Sequence, residues 1–243
     1  MIESVSEEFE EALSETGFTG ERWNGPLPLV YGPDFESQGT PFESEEITPT
    51  EAGGLVGVHI ETTFMAFAHG RHHWGRSSDL NAKGCEHLIR GWAEFVSREI
   101  TMTPLLVLFE YGPDVGRTKS LIAELDCEQS VAWQPKMPRR ELMKRLANCD
   151  VVCGNFAHSY LSSGCYFEAL VLGKPIIGYR SKEHLTAANA FPILAAREPG
   201  DIADQLSWVA RCPNDAAELG IAGREWYKSQ TLSALSRYNM LCS

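Results

Sequence analysis

The chain has 243 residues, 43% of them hydrophobic, which is enough to bury a sizeable core in one or two domains. Its net charge of −12 comes from the first 52 residues, which hold 13 acidic side chains and a single basic one, Arg22; the rest holds 20 of each sign. A neutral body without a basic stripe excludes general nucleic-acid binding, so any anionic ligand must be held by a few placed cations.

No apolar run approaches the roughly 18 residues that a transmembrane helix needs. The start, Met1-Ile2-Glu3-Ser4-Val5-Ser6-Glu7-Glu8, lacks the basic and apolar regions of a signal peptide, which points to the cytoplasm. Seven cysteines at irregular spacing read as reduced, mostly buried thiols.

In chain order, Ser4 and Glu7 form a capping-box pattern, and Val5, Phe9 and Leu13 recur at helical spacing until Gly17. This predicts a short acidic helix. From Gly25 to Gly54 periodicity disappears into Pro, Gly, Ser and Glu, so residues 1–62 read as helix plus linker. Residues 63–243 then alternate short apolar runs with amphipathic stretches, the pattern of repeated βαβ units. Strands are expected at Phe64–His69, Leu105–Phe109, Val131–Trp133, Asp150–Cys153 and Pro175–Tyr179, with a weaker sixth near Phe191–Leu194. Helices are expected near 84–98, 115–125, 138–148, 164–172, 199–211, 214–229 and 232–241. Right-handed crossovers make this an α/β domain with a doubly wound parallel sheet, in which ligands sit at the carboxyl ends of the strands.

Several strand ends carry residues suited to that position. His69-Gly70-Arg71 places a glycine and a cation where a strand meets a loop, and Lys83-Gly84 delivers a second cation just before a helix. An Arg fork and a Lys point charge converging there suit a diphosphate; alone, each is equally an ordinary surface cation. Gly112-Pro113 is a turn signal, with Asp114 expected to cap the next helix, and Pro138 suits the first position of another. In Ser162-Ser163-Gly164-Cys165-Tyr166-Phe167-Glu168, small residues open a helix after a strand, so free backbone N–H groups can face a phosphate. Glu168, one turn inside, could accept two hydrogen bonds from a ribose diol, or simply reach solvent. His69, His72 and His73 lack a partner at a known metal spacing and read as a loop cluster, with no metal expected. Cys149 and Cys153, like Trp92 and Phe95, read as core.

Taken in order, Gly70-Arg71, Lys83-Gly84, Gly112-Pro113, Asp150-Val151-Val152, Glu168-Ala169 and Gly173-Lys174-Pro175 resemble the carboxyl-terminal domain of retaining glycosyltransferases with the two-domain GT-B architecture, family 4 in particular. The resemblance covers roughly residues 64–230 and implies a Rossmann-like half that binds a nucleoside-diphosphate sugar. Arg71 and Lys83 would stabilise the departing diphosphate as catalytic cations, with amides near Ser163 and Gly164 on phosphate and Glu168 on the ribose. Gly70 and Gly112, at the motif's strand-end turns, complete the substrate-binding set with Tyr160, which stands where many members have a second glutamate near the donor sugar. The resemblance implies no metal and no cofactor. It also implies that residues 1–62 are the remnant of a preceding acceptor-binding domain and the crossing from it, that domain being supplied elsewhere. Two alternatives stay open: a non-catalytic binding or scaffold module that docks a partner through its acidic leader, and a relative of sugar-nucleotide epimerases.

Overall fold

The computed structural model describes residues 2–3, 22–23, 63–75, 82–99, 101–161, 163–187 and 190–241, with side chains described as far as 230 in the last stretch. Two short strands, β1 (Ile2–Glu3) and β2 (Arg22–Trp23), pair in parallel near the amino terminus. The helix expected over Ser4–Gly17 and the linker after it lie outside the described residues.

The body is one six-stranded sheet: β3 (Phe64–Ala68), β4 (Pro104–Phe109), β5 (Val131–Gln134), β6 (Val151–Cys153), β7 (Ile176–Gly178) and β8 (Leu194–Ala195). They lie in the order β5-β4-β3-β6-β7-β8, and every pairing is parallel. A parallel strand covered on both faces must be apolar throughout, and Pro104-Leu105-Leu106-Val107-Leu108-Phe109 is buried at all six positions.

Helices α1 (Cys85–Arg98), α2 (Val115–Glu124) and α6 (Pro199–Arg211) cover one face. There Leu88, Ile89, Trp92, Phe95, Leu121, Ile202 and Leu206 join one core. Helices α3 (Arg139–Leu146), α4 (Gly164–Val171) and α7 (Pro213–Leu241) cover the other, where Leu146, Tyr166, Phe167, Leu170 and Tyr227 form a second core. Periods of 3.6 residues place these side chains on single helix faces, and their burial supplies most of the stabilisation. A single turn, α5 (Lys182–Leu185), follows β7.

Four sequence expectations are corrected. The two helices expected at 214–229 and 232–241 are one, α7, because no glycine or proline interrupts the chain between 224 and 241. The sixth strand is not at Phe191–Leu194 but at Leu194–Ala195, since Pro192 has no N–H for a ladder. Asp114 makes no cap bond to α2; its Oδ2 instead accepts from Trp74 N (2.8 Å) and Gly75 N (2.9 Å). Pro138 precedes α3 as its cap residue with ψ of 145°, rather than opening the helix at its first position.

Candidate functional site

The strand order reverses between β3 and β6, the two strands whose following connections leave in opposite directions, so a crevice must open at their carboxyl ends. A cleft of about 500 Å³ lies there, lined among others by His69, Gly70, Lys83, Asn155, Ser163 and Glu168. Two helix starts flank it, α1 after β3 and α4 after β6.

The α1 side is locked by backbone. Lys83 N donates to His73 O (2.7 Å), Phe156 N donates to Lys83 O (3.0 Å), and Gly84 adopts φ 66° against the 156–157 turn. A Cβ on Gly84 would lie 2.6 Å from Ala157 N, so only glycine fits both the left-handed backbone and the space. Lys83 is thereby delivered to the cleft, where burial pulls its pKa below the usual lysine range and Arg71 adds to the effect. Its Nζ lies 5.0 Å from the centre of the Tyr160 ring, a cation–π contact.

On the α4 side, Tyr166 N and Phe167 N both donate to Ser163 O (3.1 Å each). The amides of Gly164 and Cys165 precede the first intrahelical bonds and have no acceptor among the described residues, so they present the positive end of the helix to the cleft. The helix can approach this closely because Gly154, at the end of β6, has no Cβ to meet the Tyr166 ring, which would lie 2.0 Å away. Two thiols also line the cleft, Cys85 and Cys165. Burial pushes Cys85 up to about 12 and raises Cys165, so both are inert thiols here.

Glu168 is 5% exposed and does not reach solvent. Its Oε2 lies 2.6 Å from His69 Nε2 and its Oε1 2.7 Å from Arg139 Nη2. The carboxylate thus joins the end of β3, the start of α3 and the second turn of α4. Arg139 is half exposed at its side chain, whereas those of His69 and Glu168 are 6% and 7% exposed, so the His69 contact is the enclosed one. His69 therefore has a carboxylate partner 99 residues away that the histidine spacing could not show. Among the described residues no cluster of three or more His, Cys, Asp or Glu is arranged to hold a metal ion.

His72, 2% exposed, contacts Thr118 Oγ1 through Nδ1 (3.1 Å), and burial lowers its pKa to about 4, so it is neutral near pH 7. Its backbone pins the β4 loop: His72 N donates to Tyr111 O (2.7 Å) and Asp114 N to His72 O (3.0 Å). Gly112 belongs to this clasp. With φ of 121° it lies so close that a Cβ would be 2.3 Å from His72 O.

Of the residues expected from sequence, Gly70, Lys83, Ser163, Gly164 and Glu168 line one cleft. Arg71 sits beside it, its carbonyl accepting the Cys85 Sγ–H (3.7 Å). Tyr160 stacks on Lys83 and Gly112 packs on the His72 backbone; neither lines the cleft wall. Neither Asn155 nor Arg139 stands out in the sequence, where His69 reads as part of a loop cluster; the glycine-asparagine pair directly after a predicted strand is the available signal for Asn155.

A doubly wound parallel sheet with its cleft at the reversal defines a Rossmann-like domain. Known structures narrow that class. A glycosyltransferase from Rickettsia africae is similar over 100% of this chain and 63% of its own (13% identity, TM-score 0.64). Staphylococcus aureus TarM, solved as its G117R mutant with UDP, fondaparinux and α-GlcNAc-glycerol, is similar over 98% of this chain and 43% of its own (14% identity, TM-score 0.62). The carboxyl-terminal domain of LpcC, a group 1 family glycosyl transferase of Francisella tularensis, is similar over 70% of this chain and 87% of that domain (13% identity, TM-score 0.54). The fold is that of a GT-B glycosyltransferase-like domain, and the chain spans less than two thirds of the length of the Rickettsia africae and TarM chains. No protein-family profile matches the sequence, and neither does any curated protein.

Proposed function

We propose that the chain is the donor-binding domain of a two-domain glycosyltransferase, holding a nucleoside-diphosphate sugar in the cleft between β3 and β6. One observation carries the reading: Lys83, the open amides of α4 and the carboxylate of Glu168 border a single cleft at the topological reversal. Cations and a helix start complement a diphosphate, and a carboxylate complements a ribose diol. The fold similarity to glycosyltransferases, one of them solved with UDP, supports the same class.

In this reading Arg71 and Lys83 stabilise the negative charge that develops on the departing nucleoside diphosphate as the sugar becomes oxocarbenium-like. The lowered pKa of Lys83 reports an unneutralised, partly desolvated ammonium, which a diphosphate would relieve. Glu168 keeps His69 on Oε2, while half-exposed Arg139 gives up Oε1 to the ribose hydroxyls. Residues 63–243 form the donor domain and residues 1–62 the end of the crossing from an acceptor-binding domain. Transfer takes place in the cytoplasm, where nucleotide sugars are the donors. Among the described residues no helix is long and apolar enough to cross a membrane.

A second reading, a binding module without transfer activity, is favoured by one contact. Tyr160, at the position where the resemblance would put a second glutamate, sets an aromatic ring against Lys83 in place of a carboxylate.

Calorimetry with uridine, guanosine and adenosine diphosphates tests the donor site. One of them should bind, and Arg71→Ala and Glu168→Ala should each weaken it at least tenfold, about 1.4 kcal/mol. Absence of binding to all three, or binding indifferent to both substitutions, removes the reading. Glycosyl transfer on addition of an acceptor domain would separate the enzyme from the binding module.

A further inference from the structure

Two buried polar side chains at the neighbouring ends of β6 and β7 hold donors without acceptors. Asn155 is 3% exposed and lines the cleft. Its Oδ1 accepts from Ala157 N (3.1 Å) and His158 N (3.4 Å), which fixes the amide and leaves Nδ2 without a partner among the described residues. Arg180, just past β7, is also 3% exposed, and none of Nε, Nη1 or Nη2 has a hydrogen bond among the described residues. The two positions are tied together, since Tyr179 N donates to Asn155 O (2.7 Å). A guanidinium offers five N–H donors and a primary amide two, so this corner of the fold holds a dense, unanswered donor set.

Among the described residues, nothing around Arg180 neutralises it. Its guanidinium lies 4.3 Å from the centre of the Phe191 ring, which supplies a cation–π contact but no acceptor. Among the described residues Tyr166 is the polar group that favours its charge, yet burial holds that phenol above its ordinary pKa, so it stays neutral, and its hydroxyl is shared with the Asn155 backbone (3.1 and 3.4 Å). Glu183, three residues on, acts on His184 instead, and His184 is itself held below its usual pKa by burial and by Arg180. A desolvated cation without a counter-ion is costly, and the planar fork of a guanidinium matches a carboxylate or a phosphate.

We infer that the neighbouring ends of β6 and β7 form an oxyanion subsite beside the cleft, with Asn155 on the cleft wall as a fixed neutral donor and Arg180, behind that wall, supplying the charge, for a carboxylate or phosphate group that the ligand carries. Parallel strands lie about 4.8 Å apart, so the end of β7 is roughly 10 Å from the end of β3, within the span of one sugar nucleotide. Only the attachment of this group to a nucleotide rests on the donor reading. The chemistry of Arg180 and Asn155 does not.

Two arms test it. In the first, glucose 6-phosphate is compared with glucose by thermal shift; in the second, UDP-glucuronate is compared with UDP-glucose by calorimetry. At least one anionic ligand should beat its neutral counterpart by tenfold or more, and Arg180→Met and Asn155→Asp should each bring the ratio to within threefold of one. The arm that responds tells whether the anion arrives as a free phosphate ester or on a nucleotide-borne sugar. If neither anionic ligand is preferred, or the preference survives Arg180→Met, the subsite is overturned. Should Arg180→Met not fold, Arg180→Lys decides, since it keeps the charge but loses the fork and must still reduce the ratio. Failure of all nucleotides to bind removes the donor reading alone, because the glucose 6-phosphate arm needs no nucleotide.

Discussion

Glu168 on α4 and Arg180 after β7 are buried to nearly the same degree, 5% and 3% exposed, and the fold treats them in opposite ways. Each oxygen of Glu168 has a cationic or histidine partner; no nitrogen of Arg180 has any hydrogen-bond acceptor among the described residues. A buried charge whose partners come from other elements ties those elements together, here β3, α3 and α4. A buried charge without a hydrogen-bond acceptor contributes little to folding beyond its alkyl stem and, for Arg180, the cation–π contact with Phe191. The contrast separates a charge that holds the cleft's shape from one held ready by it.

His72 shows a third resolution, in which the buried group gives up its charge, and the largest expected effect follows from it. Its folded pKa of about 4 lies below the ordinary 6.5, so between those values the unfolded chain binds the proton more readily. The stabilisation is fully present above pH 6.5 and is lost as the pH falls through that window to 4. At about 1.4 kcal/mol per unit it amounts to about 3 kcal/mol. Urea unfolding of the wild type and of His72→Gln at pH 7.5 and 4 should show the difference between them shifting by about that amount in favour of the variant at low pH. A constant difference would mean that His72 ionises freely.

Next in size is Glu168→Ala. Removing one member of a buried pair typically costs 3–5 kcal/mol, but half-exposed Arg139 can return to water, so about 2–3 kcal/mol is expected from denaturant unfolding. Arg139→Ala should cost under about 1 kcal/mol, as an exposed partner does. If the two substitutions cost the same, the enclosed His69 contact is not what holds the carboxylate.

Much of this arrangement was legible in the sequence, and the parts that were not share a cause. The run Leu105–Phe109 is apolar at every position, which only a strand covered on both faces requires, and Gly173 ends α4 with φ of 66°. Gly70, Lys83, Ser163, Gly164 and Glu168 reach one cleft because strand-end residues of a doubly wound sheet converge on its reversal. The His69–Glu168 contact spans 99 residues and the Arg139–Glu168 pair joins separate helices, so no local period encodes either. The single turn α5 carries only four residues, too few for an apolar stripe; its signal is the Ser181 cap, whose Oγ accepts from His184 N at 3.3 Å. Arg180 carried no signal because an arginine after a strand is normally a surface residue.

The smallest effect is the most discriminating, because it has the opposite sign. Arg180→Met retains the apolar length that packs on Phe191 while removing an unpaired, desolvated charge. The lost cation–π contact is worth about 0.5–2 kcal/mol, and relief of the buried charge should exceed it. A net gain of about 1 kcal/mol is therefore expected by denaturant unfolding in the absence of ligand. Proteins whose buried arginines serve folding are destabilised by this change, since an acceptor is left behind in the core; among the described residues here there is none to leave. A loss of 1 kcal/mol or more on Arg180→Met would erase the contrast with Glu168 and make both residues parts of the scaffold.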